Sequence, residues 1–243
     1  MDFEFLSQTF LKLLPGIPVT LELATLSLVL GACLALAFAV IRVRQIRPLN
    51  WLVIGYVYVF RGTPLLVQLF IIYYGLAQFP EIRGSFAWTY LREPYWCALL
   101  ALALNTAAYG SEILRGALLS VPRGQILAAQ ACGMSGFLLF RRISFPIALR
   151  QALPAYGNEF ILMIKATALA SLVTLADVTG IAARIISETY RPVEVFVAAG
   201  TIYLTISYGL ILLLRMAEIR LNPDRRDPAP MAGVSAARKE VNP

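Results

Sequence analysis

The stretch IPVTLELATLSLVLGACLALAFAVI, residues 17–41, runs for 25 residues with a single charged side chain, Glu22. At 1.5 Å per residue it is long enough to cross a hydrocarbon core of about 30 Å. Its apolar residues cover every side instead of one stripe, which suits a helix surrounded by lipid and other spans rather than one lying on a soluble core. Working outward, four further segments have comparable character: residues 63–79, 95–114, 154–176 and 196–214. The whole chain agrees, with 243 residues, a mean hydropathy of +0.71, 59% hydrophobic and 14% charged residues. One soluble core cannot hide that much apolar surface, so the fold class expected is an all-α membrane bundle of about five transmembrane helices.

The charges then fix an orientation. Lys12 precedes the first span, Arg42, Arg44 and Arg47 follow it, and Arg83 and Arg92 follow the second. Arg115, Arg123, Arg141, Arg142 and Arg150 follow the third, Arg184 and Arg191 the fourth, and a basic tail the fifth. This low-high alternation, read by the positive-inside rule, predicts an N-out, C-in protein with an odd number of spans. The formal charge of +7 does not point to nucleic acid, because the basic residues stand in short blocks between apolar runs without an aromatic-basic stripe. Cys33, Cys97 and Cys132 are scattered and histidine is absent, which excludes histidine-based triads and leaves no disulfide framework or ordinary zinc pattern.

Asp2 and Glu4 outweigh Lys12 ahead of the first apolar run, the reverse of a secretory signal. Leu30-Gly31-Ala32-Cys33 has the form of a lipoprotein cleavage box, but cleavage there would remove most of the first span, so it reads as small residues inside a helix. Residues 1–221 form one expected domain. The tail, 222–243, is rich in Pro, Ala and charge and is expected to be a disordered cytoplasmic extension. The second span is short, and the aromatic and aliphatic stretch 51–60 before it is expected to lie along the membrane surface. Arg61-Gly62-Thr63-Pro64 then reads as a helix start, with Thr63 as N-cap and Pro64 in the first turn.

Residues 115–153 form a long basic connection, the part of the chain best suited to hold another protein. One short helix is expected from Pro122 through Ala128 and Ala129 to Cys132, ending at Gly133 in a left-handed cap. A second is expected from Ser135 as N-cap to just before Pro146, with Phe137, Phe140 and Ile143 on one face.

Ala128-Ala129, Gly133, Ile143 and Pro146 stand at the spacing of the cytoplasmic E-A-A loop of ABC importer permeases, which this segment resembles. It departs from that pattern at Leu127, where glutamate is usual, and at Phe145, where leucine is usual. Phe60-Arg61-Gly62-Thr63-Pro64-Leu65, Asn105-Thr106-Ala107-Ala108-Tyr109, Ser111-Glu112-Ile113 and Leu153-Pro154-Ala155-Tyr156-Gly157-Asn158-Glu159 are similar to polar amino-acid permeases of the histidine, lysine/arginine/ornithine and opine kind. The resemblance spans about residues 17–221. It implies a second homologous permease, ATP-binding subunits, a periplasmic substrate-binding protein and an amino-acid substrate as partners. It also implies that Ala128, Ala129, Gly133, Ile143, Pro146 and Arg61 couple to the ATPase, and that Tyr109 joins the substrate path. ATP and Mg belong to the partner: Lys12, Lys165 and Lys239 never follow glycine, so this chain has no phosphate-cradling Gly-Lys element, is not expected to be an enzyme and binds no cofactor of its own.

Glu22, Asn105, Glu112, Asn158, Glu159 and Lys165 fall within or at the ends of spans. An ionised group at the bilayer centre costs about 2.5–3.5 kcal/mol on insertion scales, so such groups must face protein, water or substrate. Asn158, Leu162 and Lys165 share one face of the fourth span, and Glu159, Met163 and Ala166 the adjacent strip, offering a carboxylate and an ammonium toward the bundle. The substrate path is accordingly expected along Asn105, Tyr109, Asn158, Glu159, Met163, Lys165 and Glu22. Glu112 reads as an ion-pair partner of Arg115 or, like Glu22, as a further acid for a cationic substrate side chain. Arg61 reads equally as a gating residue and as a snorkelling one. The competing functional class is a self-sufficient carrier or channel with Glu22, Glu159 and Lys165 as an ion relay. The five spans carry no inverted repeat in their support of it. Which amino acid is carried does not follow from these residues.

Overall fold

The computed structural model describes residues 3–221; the tail expectation for 222–243 lies outside the described residues. Twelve α-helices are present among them: α1 Phe3–Leu13, α2 Gly16–Arg44, α3 Leu49–Gly62, α4 Leu65–Phe70, α5 Pro80–Arg83, α6 Trp88–Leu91, α7 Pro94–Leu119, α8 Arg123–Ala131, α9 Gly136–Leu139, α10 Phe145–Ala166, α11 Val178–Thr189 and α12 Pro192–Leu221. Three of them, α2, α7 and α12, are long and apolar enough to span alone. Two more spans are bent: α3 with the helical stretch from α4 to Gln78, broken by 107°, and the run Gly136–Val173 with α11, broken by 47°. Five spans result if each bent pair counts once.

The centre of the bundle is α7, buried over most of its length, with α2, α3, α4 and α10 packed against it, while α1, α11 and α12 pack on one another. Lipid tails are as apolar as leucine side chains, so helices associate in a membrane through close packing and polar contacts. The contact of α2 with α7 is made by small residues, with Ser27, Gly31, Ala35 and Ala39 buried at four-residue intervals on α2 and Ala103, Thr106, Ala107 and Gly110 buried on α7. A Cβ on Gly31 would lie 2.6 Å from Thr106 Cβ and 2.9 Å from the Ala103 carbonyl oxygen, closer than atoms tolerate. The helices run in the same direction: Glu22 meets Tyr95 at one end, and Arg42 meets Glu112 at the other. Span α10 runs against α7, its Met163 facing Thr106 and its Tyr156 facing Gly110. The connecting arginines 42, 44, 47, 115, 123, 141, 142 and 150 therefore gather at one end, while an aromatic chain of Phe86, Tyr90, Trp96 and Tyr95 lies at the other.

Two local expectations change. Thr63 does not cap a new helix: it is the C-cap of α3, its hydroxyl donating back to Val59 O at 2.8 Å. Pro64, extended at φ −62° and ψ 136°, is the N-cap of α4, because a residue before proline avoids helical backbone and pushes the break one residue forward. Residues 51–60 make up most of α3, which touches α7 through a Tyr56 hydroxyl that donates to Leu104 O and α2 through the Phe38–Tyr56 ring contact. Pro146 does not stop the second loop helix. Starting after Ser135, which makes no side-chain cap, the helix passes through a wider turn at Phe140–Ser144 and continues as α10. Pro146 sits in the first turn of α10, where its missing N–H is not needed. The fourth span thus starts nine residues before the expected Pro154.

Beyond a break at residues 174–177 the bent fourth span ends in α11, which the composition did not announce. Asp177, fully buried, caps it by accepting from Gly180 N at 2.8 Å, and its second oxygen accepts from the Tyr203 hydroxyl of α12 at 3.1 Å. That hydroxyl is also 2.9 Å from Thr179 Oγ1. One carboxylate thereby fixes both the break in the fourth span and the approach of the fifth.

Replacing Gly31 by alanine is expected to destabilise the detergent-solubilised protein by about 1–3 kcal/mol, as overpacked sites do. Gly55→Ala, on α3 with open space around it, is expected to be neutral or mildly stabilising. Thermal unfolding of the two variants side by side checks the contrast.

Candidate functional site

The break between α3 and α4 opens onto two adjoining cavities. One, of about 480 Å³, is lined by Arg61, Thr63, Pro64, Asn105, Tyr109, Glu159, Leu162, Met163 and Ala166, among others. The other, of about 640 Å³, lies toward the basic end and includes Arg42, Tyr58, Arg61, Thr63, Tyr109 and Glu112. Arg61 and Tyr109 border both, with the Arg61 guanidinium 5.1 Å from the centre of the Tyr109 ring, in cation–π range. A polar passage therefore runs from the middle of the bundle toward the arginine-rich end.

Helical spacing explains which residues of α10 take part. Glu159, Leu162, Met163 and Ala166 follow at intervals of three, four and seven and form one stripe along the first cavity. Lys165 lies six residues after Glu159, about 240° around the helix. It is exposed outside both cavities, so the ammonium does not share the passage with the carboxylate. Asn158 is likewise exposed beside the stripe. Glu22 lies near the aromatic end, accepting from the Tyr95 hydroxyl at 2.9 Å. The fold thus brings together Asn105, Tyr109, Glu159, Met163 and Arg61, and leaves Asn158, Lys165 and Glu22 apart.

Glu112 is held from two sides. Arg115 donates to its Oε2 from Nη2 at 2.9 Å, the pairing expected from the three-residue spacing, and Arg42 of α2 donates to Oε1. This bridge joins the basic ends of α2 and α7, and Glu112 is a structural ion-pair partner at the edge of the larger cavity.

Gln68 was overlooked by the sequence reading, although a polar residue inside a short apolar segment was the available signal. Buried in α4, its Nε2 donates to Phe60 O at 2.8 Å, Thr63 Oγ1 at 2.9 Å and Thr63 O at 3.1 Å. These are acceptors left over at the C-terminus of α3, which no further helical turn can satisfy. Its Oε1 accepts from Asn105 Nδ2 at 3.0 Å. Asp177 was also overlooked. The signal was an Asp immediately before a β-branched run, an N-cap position.

In the loop at the basic end, α8 closes as expected. Gly133 stands at φ +81°, Gly133 N donates to Gln130 O at 2.9 Å, and Met134 N to Ala129 O at 3.0 Å, the paired bonds of a Schellman cap. Ala129 is buried against this chain, whereas Ala128, Leu127 and Gly133 face outward. Ile143 and Pro146 are half-buried where the loop re-enters the bundle. No group of three or more metal-ligating side chains exists among the described residues.

A multi-pass helical bundle with a polar passage at a broken span, and an ordered loop at its basic end, is the architecture of a membrane transport protein. The chain belongs to the family of binding-protein-dependent transport system inner membrane components, matched over residues 27–222. It is 58% identical over 228 residues to the octopine transport system permease protein OccM of Rhizobium meliloti, covering 93% of each chain. With the histidine/lysine/arginine/ornithine transport system permease protein HisM of Escherichia coli K12 it shares 46% identity over 206 residues, 84% of this chain and 87% of that one. A crystal structure of an amino acid ABC transporter with histidines superimposes with a TM-score of 0.79 at 34% identity, covering 90% of this chain and 99% of its counterpart. The protein is therefore a multi-pass inner-membrane permease.

Removing the shared carboxylate in Glu112→Ala leaves two guanidinium groups facing each other. It is expected to destabilise the protein by about 1–3 kcal/mol, less than a fully buried pair because water reaches the site. Arg115→Ala, which leaves Arg42 on Glu112, is expected to cost less. Thermal unfolding with equal midpoints for the two variants would contradict the bridge.

Proposed function

We propose that this chain is the permease subunit through which an ATP-driven importer moves a cationic amino acid or opine across the inner membrane. The observation that carries this is the meeting of Glu159, Asn105, Tyr109 and Arg61 around one cavity at a break in the second span. A carboxylate, an amide and an aromatic face suit an ammonium or guanidinium, and Arg61 suits the carboxylate that every such substrate also bears. The names of the relatives, octopine on one side and histidine, lysine, arginine and ornithine on the other, support the same chemistry.

The energy comes from an ATP-binding subunit that carries ATP and Mg. Its contact is the outward side of α8, where Ala128, Leu127 and Gly133 are uncovered, and Ile143 and Pro146 pass its motion into α10. α8 ends at the Gly133 cap, and the helical path that begins at Gly136 and runs into α10 is the lever on which a shift of the docked loop acts. The cytosol lies at the arginine-rich end, giving the N-out, C-in orientation. A second homologous permease covers the sparsely buried sides of α2 and α12, and a periplasmic substrate-binding protein delivers the solute at the aromatic end. The self-sufficient carrier is disfavoured by geometry, because Glu22, Glu159 and Lys165 do not line one passage.

In proteoliposomes holding the permeases, the ATPase and the binding protein, Glu159→Gln is expected to lower arginine uptake about tenfold or more with assembly intact. Unchanged uptake kinetics would remove Glu159 from the path. In the same preparation, Gly133→Leu is expected to leave the protein inserted but without binding-protein-stimulated ATP hydrolysis, since a side chain at φ +81° strains the cap and obstructs the docking surface. Normal stimulation in that variant would refute the docking role.

A further inference from the structure

Gln68 touches no part of the first cavity, yet it determines which atom Asn105 shows to it. Its amide can be oriented in only one way. Turned over, Gln68 would set its oxygen 2.8 Å from the Phe60 carbonyl oxygen and close to the Thr63 carbonyl, with no hydrogen between them. The Thr63 hydroxyl gives its own hydrogen to Val59 O, so it too can only accept from Gln68. With Nε2 thus committed, Oε1 is an obligate acceptor, and Asn105 must offer it an N–H. The remaining polar atom, Asn105 Oδ1, accepts no hydrogen bond from any described residue, and Asn105 lines the cavity.

We propose that Gln68 is a positioning residue for substrate selection: anchored on the α3–α4 turn, it locks Asn105 with its side-chain oxygen toward the cavity, so that the wall there accepts a hydrogen bond from a cationic substrate. This rests on the proposed function, from which it takes the substrate class, and it adds the source of the wall's polarity. An unanchored asparagine can present either end of its amide, and hence discriminates poorly between a guanidinium and a group of the same shape that offers a carbonyl. The lock also joins two elements. The turn that bears Arg61 and the helix that bears Asn105 are tied through one side chain, so the donor and acceptor walls of the cavity keep their separation.

The test compares arginine with citrulline, a neutral analogue of nearly the same shape whose urea oxygen replaces one guanidinium nitrogen, in the reconstituted importer. Gln68→Met is expected to raise KM for arginine about tenfold, the scale of one hydrogen bond to a charged group, and to shrink the preference for arginine over citrulline, the loss falling on KM and not on maximal rate. In an Asn105→Ala background the same change is expected to move KM less than about twofold, because Gln68 acts through Asn105. Asn105→Asp provides an independent reading with Gln68 intact. Net charge alone predicts better arginine uptake, whereas the lock predicts worse, because a carboxylate oxygen must then face Gln68 Oε1. Additive effects of Gln68→Met and Asn105→Ala, an unaltered arginine-to-citrulline preference, or improved uptake by Asn105→Asp would each overturn the inference while leaving the transport function standing. A wild-type importer that moves arginine no better than citrulline would instead overturn the proposed substrate class and this inference with it.

Discussion

The close approach of α2 to α7 is the contact on which the rest of the bundle depends. In lipid, burying leucine against leucine gains little over leaving it in the acyl chains, so two helices stay together only where their backbones come near enough for dense packing. Gly31 allows that approach at Thr106 and the Ala103 carbonyl, with Ser27, Ala35 and Ala39 extending it along the seam. Once α7 is held, its other faces present Asn105 and Tyr109 to the cavity, Leu104 O to Tyr56 and Glu112 to the arginines. The polar groups that meet α7 are thus placed by that seam, whereas Asp177 and Tyr203 are held separately where α11 packs on α12.

Two kinds of polar side chain stand at the discontinuities of the spans. Asp177, Gln68 and Glu112 have their hydrogen-bonding capacity taken up by the protein, each at a discontinuity: the fourth-span break, the second-span break and the basic end of the bundle. Broken helices leave backbone groups that water would satisfy elsewhere and that lipid cannot. Side chains such as Gln68 replace that water. Glu159 and Asn105 differ in that both border the cavity at the same break. The irregular backbone of the second span is thus satisfied by Gln68 beside the cavity, while Glu159 and Asn105 supply polar groups to its wall.

The loop at the basic end obeys different physics. It is exposed, its first helix is short, and its conformation rests on the left-handed Gly133 cap and on the buried Ala129. From Gly136 the helical path runs through to Val173 without a break of direction. That path reaches Glu159 about a dozen residues beyond the point where Pro146 enters the bundle, and α8 is joined to it through the turn at 132–135.

Composition and the 25-residue run beginning at Ile17 determined the solvent, the helical class and, through the arginine blocks, which ends lie together. Glycine at 133, with its need for positive φ, and the three-residue spacing of Glu112 and Arg115 were equally legible, because both are local rules. Spacing on a single helix could also separate Glu159 from Lys165, although the need for complementary charges suggested otherwise. What only the tertiary structure decided was the company each polar group keeps. Gln68 meets Asn105 across 37 positions of chain, Arg42 meets Glu112 across 70, and Gln68 reaches back to Phe60 O and Thr63 O at the end of α3. Periodicity says which way a side chain points from its own axis, but the partner it finds depends on the direction, offset and approach of a second helix, and those are fixed by packing.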